Sequence, residues 1–322
     1  MRTTHIKLRR AGQTPYDLHG VIWDSETRVT KHVIHIVHGM TEHIGRYAQF
    51  AEKFVSTNLG IAIAGFDLRG HGMNAGHETC GSFISGGDPS FNNYGWRAVL
   101  YDIQKEIIEI KSRFPYAKHH ILGFSLGSFL VRDLMREIPL NGISSFILVG
   151  TGYQPPIITN IMKRIIAGEI KKAKPGETTN LTKKLAFGTY NAKFEPVKTT
   201  MDWLCSDKDQ LNAYMNDPKC KTDISADLFY EMLSAMSRVN SKAAYTGEND
   251  LSHASVTLIS GAQDAVGDMG KGIRKLKKQM QNNGIGHVDM TIIPDARHDV
   301  FHEYHTHADD ATMLAIMKTI GV

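Results

Sequence analysis

One short segment constrains the fold of this chain more than any other: a glycine-flanked serine between a strand-like and a helix-like pattern. The apolar run 120–123 ends in Gly-Phe-Ser-Leu-Gly, with Ser125 at its centre, and a helical pattern begins at Leu126. A strand that turns directly into a helix lifts the serine above the sheet and crowds the backbone at Gly123 and Gly127. We therefore expect a serine hydroxyl at the end of a parallel strand, facing the start of a helix.

Strand-like and helix-like patterns alternate on both sides of this segment. Several strand-like segments are continuous apolar runs, as expected for strands that are buried on both faces of a sheet. The predicted strands span residues 5–10, 20–23, 33–37, 61–66, 120–123, 145–149, 256–260 and 288–293, and the predicted helices span residues 46–58, 96–114, 126–138, 270–282 and 308–320. Such alternation predicts an α/β fold with a mostly parallel, doubly wound sheet.

The middle of the chain lacks this alternation. Its main pattern is a stripe of apolar residues at helical spacing, with Lys163, Arg164, Lys171 and Lys172 beside it. The stripe consists of Ile157, Ile158, Ile161, Met162, Ile165, Ile166 and Ile170. We predict that residues 1–150 and 251–322 form the α/β core, and that residues 151–250 form a mostly helical cap, or lid, inserted into it.

Two later loops carry residues that can activate Ser125. Asp264 follows the predicted strand 256–260, and His298 follows the predicted strand 288–293. The order serine, acid, histidine is the one found where the nucleophile lies on a strand-to-helix turn. A serine hydroxyl needs a base to take its proton, so we predict His298 as that base and Asp264 as the acid that orients it. Asp268, in the same loop as Asp264, is the alternative acid.

The loop after strand 33–37 is predicted to stabilise an oxyanion. It reads His-Gly-Met-Thr-Glu-His, starting at His38. A strand-to-helix nucleophile turn uses one N–H group from this loop and one from the residue after the serine. We therefore predict that the backbone N–H groups of Met40 and Leu126 form the oxyanion hole.

Several other kinds of site are disfavoured. The histidines at positions 32, 35, 38 and 43 are joined by no cysteine or carboxylate cluster, so we predict no metal site, and we expect His38 to brace its loop. The histidines at 302, 305 and 307 lack the zinc-protease spacing and are predicted to lie at the surface or at a helix cap. The glycine-rich segment 65–72 lacks a phosphate-binding pattern, so we expect a turn in which Asp67 and Arg69 bond to neighbouring loops.

Charge and cysteine content narrow the partners and the compartment. The formal net charge is +4 over 322 residues, which is too mild to indicate nucleic-acid binding. The cysteines are Cys80, Cys205 and Cys220, an odd and sparse set that implies no disulfide framework. No secretory signal pattern and no apolar run of membrane-spanning length are present, so we predict a cytoplasmic protein.

Taken together, the motifs resemble the monoacylglycerol lipase and lysophospholipase branch of the α/β-hydrolases. The resemblance rests on His38-Gly-Met-Thr-Glu-His43 with Arg46-Tyr47, on Gly70-His71-Gly72, on the turn around Ser125, on Asp264-Ala-Val-Gly267 and on Arg297-His298. The segments 186–191, 202–204 and 217–218 also resemble the cap of bacterial members. Two departures bear on the substrate and not on the triad. Phe124 stands where mammalian monoacylglycerol lipases carry histidine, and Asp-Val-Phe follows His298.

This resemblance implies a helical cap over an acyl pocket, no cofactor, and hydrolysis of esters with one fatty acyl chain. We therefore expect a serine hydrolase that cleaves monoacylglycerol- or lysophospholipid-like carboxylic esters through an acyl-enzyme on Ser125. Its cap is expected to contact membrane surfaces transiently. The isoleucine stripe is expected to pack the cap on the core, or alternatively to line the acyl pocket.

A peptidase or amidase, or an acyltransferase, on the same fold is the alternative function. The same three side chains serve these reactions, and the pocket decides among them. A binding protein without activity is disfavoured because the serine, the acid and the histidine are all present. Dehalogenase chemistry is disfavoured because it would need an aspartate in place of Ser125.

Overall fold

The computed structural model describes most of the chain. The described residues are 1–9, 17–75, 81–83, 95–137, 141–174, 176–188, 190–220, 223–245 and 250–322. Cys80 lies outside the described residues. Cys205 and Cys220 are both buried, free thiols.

Eight strands within the described residues form one sheet. They are β1 (Arg2–Arg9), β2 (Asp17–Asp24), β3 (His32–Val37), β4 (Ile61–Phe66), β5 (Lys118–Phe124), β6 (Ile143–Val149), β7 (Ser255–Gly261) and β8 (His287–Ile293). Their order across the sheet is β1-β2-β4-β3-β5-β6-β7-β8. Only the pairings of β2 are antiparallel, and the other five are parallel. The prediction of a mostly parallel sheet is confirmed.

Helices cover both faces of this sheet. The helices are α1 (Ala48–Ser56), α2 (Gly95–Arg113), α3 (Leu126–Glu137), α4 (Pro156–Ile170), α5 (Asn180–Phe187), α6 (Lys208–Asn216), α7 (Ala226–Val239), α8 (Lys271–Asn282) and α9 (Ala308–Ile320). Residues of α1 and α9 share one hydrophobic cluster with Leu122 of β5, whereas residues of α2, α3 and α8 share another with Ile121. Because both strand residues are fully buried, β5 is covered on both faces, which explains its continuous apolar run.

The register of the parallel strands brings the predicted site loops to one edge of the sheet. Gly123 of β5 pairs with Val37 of β3, and Gly261 of β7 pairs with Ile293 of β8. Each of these residues lies at or next to the carboxyl end of its strand. Open α/β sheets bind ligands at this edge, since the loops that follow the strands converge there.

The segment between β6 and β7 contains helices α4 to α7. Helix α7 packs against α3 and α4, and its Leu233 and Met236 belong to the same hydrophobic cluster as Leu134 of α3. A smaller, separate cluster includes Trp203 and Tyr214. The segment is therefore helical, and part of it is continuous with the core. Within the described part of the chain, none of the helices combines the length and the hydropathy of a membrane span.

The isoleucine stripe of α4 does not pack as expected. Ile166 is fully buried, but four other isoleucines of the stripe are exposed to solvent. The exposed fractions are 70% for Ile157, 43% for Ile158, 52% for Ile161 and 46% for Ile165. The prediction that the stripe packs the cap on the core is wrong for these four residues. Helix α4 buries one side against α7 and leaves a broad apolar side uncovered.

Candidate active site

Ser125 lies in the turn between β5 and α3. Its backbone φ is +49°, in the left-handed region that residues other than glycine rarely adopt. Its N–H donates to Val149 O at 2.9 Å, which holds the turn against β6. A Cβ atom at Gly123 would lie 2.5 Å from Gly127 O, and one at Gly127 would lie 1.9 Å from Val37 O. The backbone is therefore as crowded as the sequence predicts, and both glycines are needed for the close approach.

The structure brings the three predicted triad side chains into one hydrogen-bonded row. His298 Nε2 lies 2.9 Å from Ser125 Oγ, and His298 Nδ1 lies 2.9 Å from Asp264 Oδ1. Asp264 and His298 are buried, and the serine is partly exposed. With the proton on Nδ1, His298 donates to the carboxylate and presents a free lone pair on Nε2 to the serine hydroxyl. This is the geometry for proton transfer from serine to histidine.

Asp264 is fixed by more than the histidine. Val266 N–H donates to Oδ1 at 2.8 Å, and Ser260 Oγ donates to Oδ2 at 3.2 Å. Asp268, the alternative acid, has a half-exposed side chain, which lies 3.4 Å from Lys193 Nζ. Of the two carboxylates, Asp264 is the one in contact with His298.

One predicted oxyanion donor follows Ser125 in the chain, and the other lines the cavity beside it. Leu126 is the first residue of α3, so its N–H points out of the helix start. Met40 lines the same cavity as Ser125. Within the part of the chain that the structure describes, the N–H groups of Met40 and Leu126 donate to no backbone acceptor. Both remain available to an oxygen atom bound beside Ser125.

A buried charge network holds the loop that carries Met40. Glu42 Oε1 accepts from Gly39 N–H at 2.5 Å and from Tyr47 OH at 2.9 Å. The other oxygen of Glu42 pairs with Arg46, whose Nη2 lies 2.8 Å from Asp299 Oδ2. The loop is therefore tied to the residue that follows His298.

The network also fixes the charges of its members. Burial alone lowers the pKa of Arg46, but Asp299 and Glu42 raise it well above its usual value. Burial raises the pKa of Asp299, but His302 and Arg46 lower it well below its usual range. Both groups are therefore charged at neutral pH. Because both groups stay charged, their ion pair persists around neutral pH and keeps the loop geometry constant.

Aromatic side chains surround the imidazole of His298. The rings of Phe124 and Trp203 each lie 5.1 Å from its centroid. Trp203 belongs to the segment between β6 and β7, and its buried Nε1 has no hydrogen-bond partner among the described residues. The sequence placed Trp203 in a cap motif but gave no signal that it contacts the histidine.

The cavity beside Ser125 is small. Its volume is about 20 Å³, which is room for one water-sized group. It lies between the site loops and Phe187, Trp203, Leu204 and Tyr214 of the segment between β6 and β7. In this conformation Ser125 is only partly exposed, and these side chains bound the space beside it.

His38 and Asp67 make the loop contacts that the sequence predicts. His38 Nδ1 bonds to Gly39 O at 2.7 Å and its Nε2 accepts from Leu68 N–H at 2.9 Å, so His38 does brace its loop. Asp67 accepts from Ile44 N–H at 2.8 Å and from Met73 N–H at 2.7 Å, as expected of a turn residue.

The three histidines near the C-terminus differ from one another. His302 is buried and bonds to Asp299 at 2.9 Å, so the prediction of a surface or cap role is wrong for it. His305 and His307 have exposed side chains, and His307 directly precedes α9. His302 is buried because it completes the charge network around Asp299 and Arg46.

Comparisons with known proteins agree with this fold. The protein family described as "Serine aminopeptidase, S33" matches residues 28–305. A carboxyl esterase from Bacillus coagulans superposes with a TM-score of 0.83, at 22% identity over 99% of both chains. A monoglyceride lipase from Saccharomyces cerevisiae superposes with a TM-score of 0.64, at 17% identity over 97% of this chain and 95% of that chain. At these identities the likeness shows the fold.

A sequence relative adds a shorter match. The chain is 31% identical to "Monoglyceride lipase homolog" of Monkeypox virus over 98 residues, which are 30% of this chain and 30% of the viral protein. The family match, in contrast, covers most of the chain. We conclude that the protein is an α/β-hydrolase and belongs to the serine aminopeptidase (S33) family.

Proposed function

We propose that this protein is a serine hydrolase that cleaves carboxylic esters through an acyl-enzyme on Ser125. The observation that carries the proposal is the hydrogen-bonded row from Ser125 through His298 to Asp264. His298 takes the hydroxyl proton while Ser125 Oγ attacks the ester carbonyl, and it then gives that proton to the leaving alcohol. Water hydrolyses the acyl-enzyme by the same steps, with His298 again as the base.

Asp264, Met40 and Leu126 have supporting roles in this proposal. Asp264 keeps the proton of His298 on Nδ1 and stabilises the imidazolium that forms. The N–H groups of Met40 and Leu126 stabilise the oxyanion of the tetrahedral intermediate. Each oxyanion donor in such a site contributes about 3 kcal/mol to the lowering of the barrier.

The lining of the cavity favours an ester over an aminoacyl substrate. An aminopeptidase needs a free carboxylate to bind the ammonium group of its substrate. Among the described residues that line the cavity, Glu42 is the acidic one, and its two oxygens already accept from Gly39, Tyr47 and Arg46. The remaining lining is mainly apolar and aromatic, which suits an acyl group.

The proposed substrates are esters with one fatty acyl chain, of the monoacylglycerol or lysophospholipid type. We propose that residues 151–250 act as a cap whose side chains, Trp203 among them, select the substrate. Lys163 and Arg164 lie in the same helix as the exposed isoleucines, and Lys171 and Lys172 directly follow that helix. An apolar face flanked by basic residues suits transient contact with a lipid surface, from which such esters would be taken.

Labelling and a substrate panel test the proposal together. A fluorophosphonate should label the wild-type protein and fail to label Ser125→Ala. Ser128 is fully buried in the first turn of α3, so Ser128→Ala should keep the label.

The wild type should hydrolyse p-nitrophenyl esters of rising acyl length faster than aminoacyl anilides. Labelling of Ser125→Ala would refute the nucleophile. A preference for anilides would assign a peptidase, and acyl transfer to added alcohols in excess over hydrolysis would assign an acyltransferase.

A further inference from the structure

A histidine, an aspartate and a cysteine meet next to the loop that carries Met40. His43 Nε2 lies 2.9 Å from Asp217 Oδ2, and the Sγ atom of Cys220 completes a group whose ligand atoms all lie within 4.8 Å of one another. His43 and Cys220 are buried, and Asp217 is partly exposed. Among the described residues this is the one group of three such side chains close enough to share an ion.

Two of these side chains come from one tight turn. Cys220 N–H donates to Asp217 O at 3.0 Å, and Lys219 N–H donates to Asp217 Oδ1 at 2.8 Å. The turn thus presents a carboxylate and a thiol with two residues between them, and paired ligands in structural zinc sites have this spacing. His43 approaches from a distant part of the sequence, at the end of the loop after β3. The sequence therefore could not reveal that a carboxylate and a cysteine lie beside this histidine.

The separations are close to those of a metal site. A tetrahedral zinc ion with bonds of about 2.0 to 2.3 Å holds its ligand atoms about 3.3 to 3.7 Å apart. The His43–Asp217 contact is slightly shorter than this, and the contacts of Cys220 are at most 4.8 Å. To bind such an ion, the ligand atoms in the longest contact would have to approach each other by at most about 1.5 Å.

The surrounding charges and cavities are compatible with a cation. Arg46 faces Cys220 but is already paired with Glu42 and Asp299. His43 and Lys219 line a cavity of about 770 Å³, and Asp217 lines another of about 260 Å³. The group is therefore open to solvent from at least one side, which gives an ion a route of entry.

We propose that His43, Asp217 and Cys220 bind a thiophilic divalent cation of the zinc class, with solvent as the fourth ligand. Imidazole, carboxylate and thiolate are all ligands that zinc accepts, whereas a thiolate disfavours magnesium and calcium. When the sulfur–metal bond forms, the thiol proton leaves to solvent. The ion would join the end of the oxyanion loop to the segment between β6 and β7.

Cobalt(II) gives a direct readout of this site. The protein without a histidine tag, freed of metal by a chelator and kept reduced, should develop thiolate-to-cobalt absorption in the near ultraviolet on addition of one equivalent of Co²⁺. Zn²⁺ should abolish that absorption. Cys220→Ser and Asp217→Asn should lose it, and Cys205→Ser should retain it because Cys205 bonds to His302 O and is not one of the three proposed ligands. Folded wild type without the absorption, or Cys220→Ser with it, would overturn the proposal.

A second measurement needs no variant. Zn²⁺ should slow the alkylation of Cys220 by iodoacetamide at least tenfold, measured by mass spectrometry of the wild-type protein, while the rate at Cys205 stays unchanged. An equal rate at Cys220 with and without Zn²⁺ would show that His43 and Asp217 form only a hydrogen-bonded pair and that Cys220 is an ordinary buried thiol. Neither measurement depends on ester hydrolysis, so the metal site and the proposed function can fail independently.

Discussion

Replacing Asp264 by asparagine tests how the triad works. The amide that replaces the carboxylate has one orientation that fits its surroundings. In the wild type, Val266 N–H donates to Asp264 Oδ1 at 2.8 Å. An NH₂ group at that position would place two donors against each other, so the amide oxygen must take the place of Oδ1 and face Val266 N–H and His298. The NH₂ group would then face Ser260 Oγ, which can accept as well as donate. Asp264→Asn should therefore keep the tautomer of His298 and remove the negative charge.

The size of the effect follows from the distance between the charges. Opposite unit charges 2.9 Å apart, as at Asp264 and a protonated His298, attract by about 6 kcal/mol at an effective dielectric constant of about 20. A neutral amide retains a hydrogen bond of about 1.5 kcal/mol. The loss of about 4 kcal/mol in the transition state corresponds to about a 10³-fold lower kcat. A flipped amide, which gives the wrong tautomer, would raise the loss to about 10⁴-fold.

The assay is kcat for p-nitrophenyl butyrate, with the melting temperature as a check on folding. Asp268→Asn is the matched control, because Asp268 is half-exposed and pairs with Lys193. It should keep kcat within about twofold of the wild type, since exposed pairs contribute little. The reasoning is refuted if folded Asp264→Asn stays within tenfold of the wild type, or if Asp268→Asn loses activity 10³-fold.

Two further predictions concern acid stability and lipid contact. Burial lowers the pKa of His120 to about 3 in the folded protein, whereas a free histidine has a pKa of about 6.5. Between pH 3 and about pH 6.5 the unfolded state therefore binds a proton at His120 that the folded state does not, so acid destabilises the fold. When the pH falls from 6.0 to 4.5, the free energy of urea unfolding should decrease by about 2 kcal/mol more in the wild type than in His120→Asn. Equal decreases would contradict this prediction. The double variant Ile157→Ser/Ile161→Ser should bind anionic vesicles roughly tenfold more weakly than the wild type in sedimentation. Leu314 is exposed on another helix, so Leu314→Ser should bind as the wild type does. Equal weakening in both variants would show that the exposed side of α4 is not a specific lipid-contact surface.

The fold could be predicted because its signals are local. Buried parallel strands read as apolar runs, and the turn at Ser125 is encoded within five consecutive residues. The order of the later loops then pointed to Asp264 and His298, which the sheet register brings to the same edge as the serine. For these residues, knowing which strand precedes them was enough to predict that they meet.

Contacts between distant segments were beyond such reasoning. Periodicity indicated correctly that the isoleucines of α4 share helix faces, but it could not tell whether anything covers them, and four are exposed. Trp203 contacts His298, and Cys220 lies beside His43, through a segment that follows no strand-to-loop rule. The same segment supplies part of the cavity lining and two of the proposed metal ligands. Its packing against the loop after β3 sets both the lining beside Ser125 and the position of Cys220 beside His43, and neither contact could be read from the sequence.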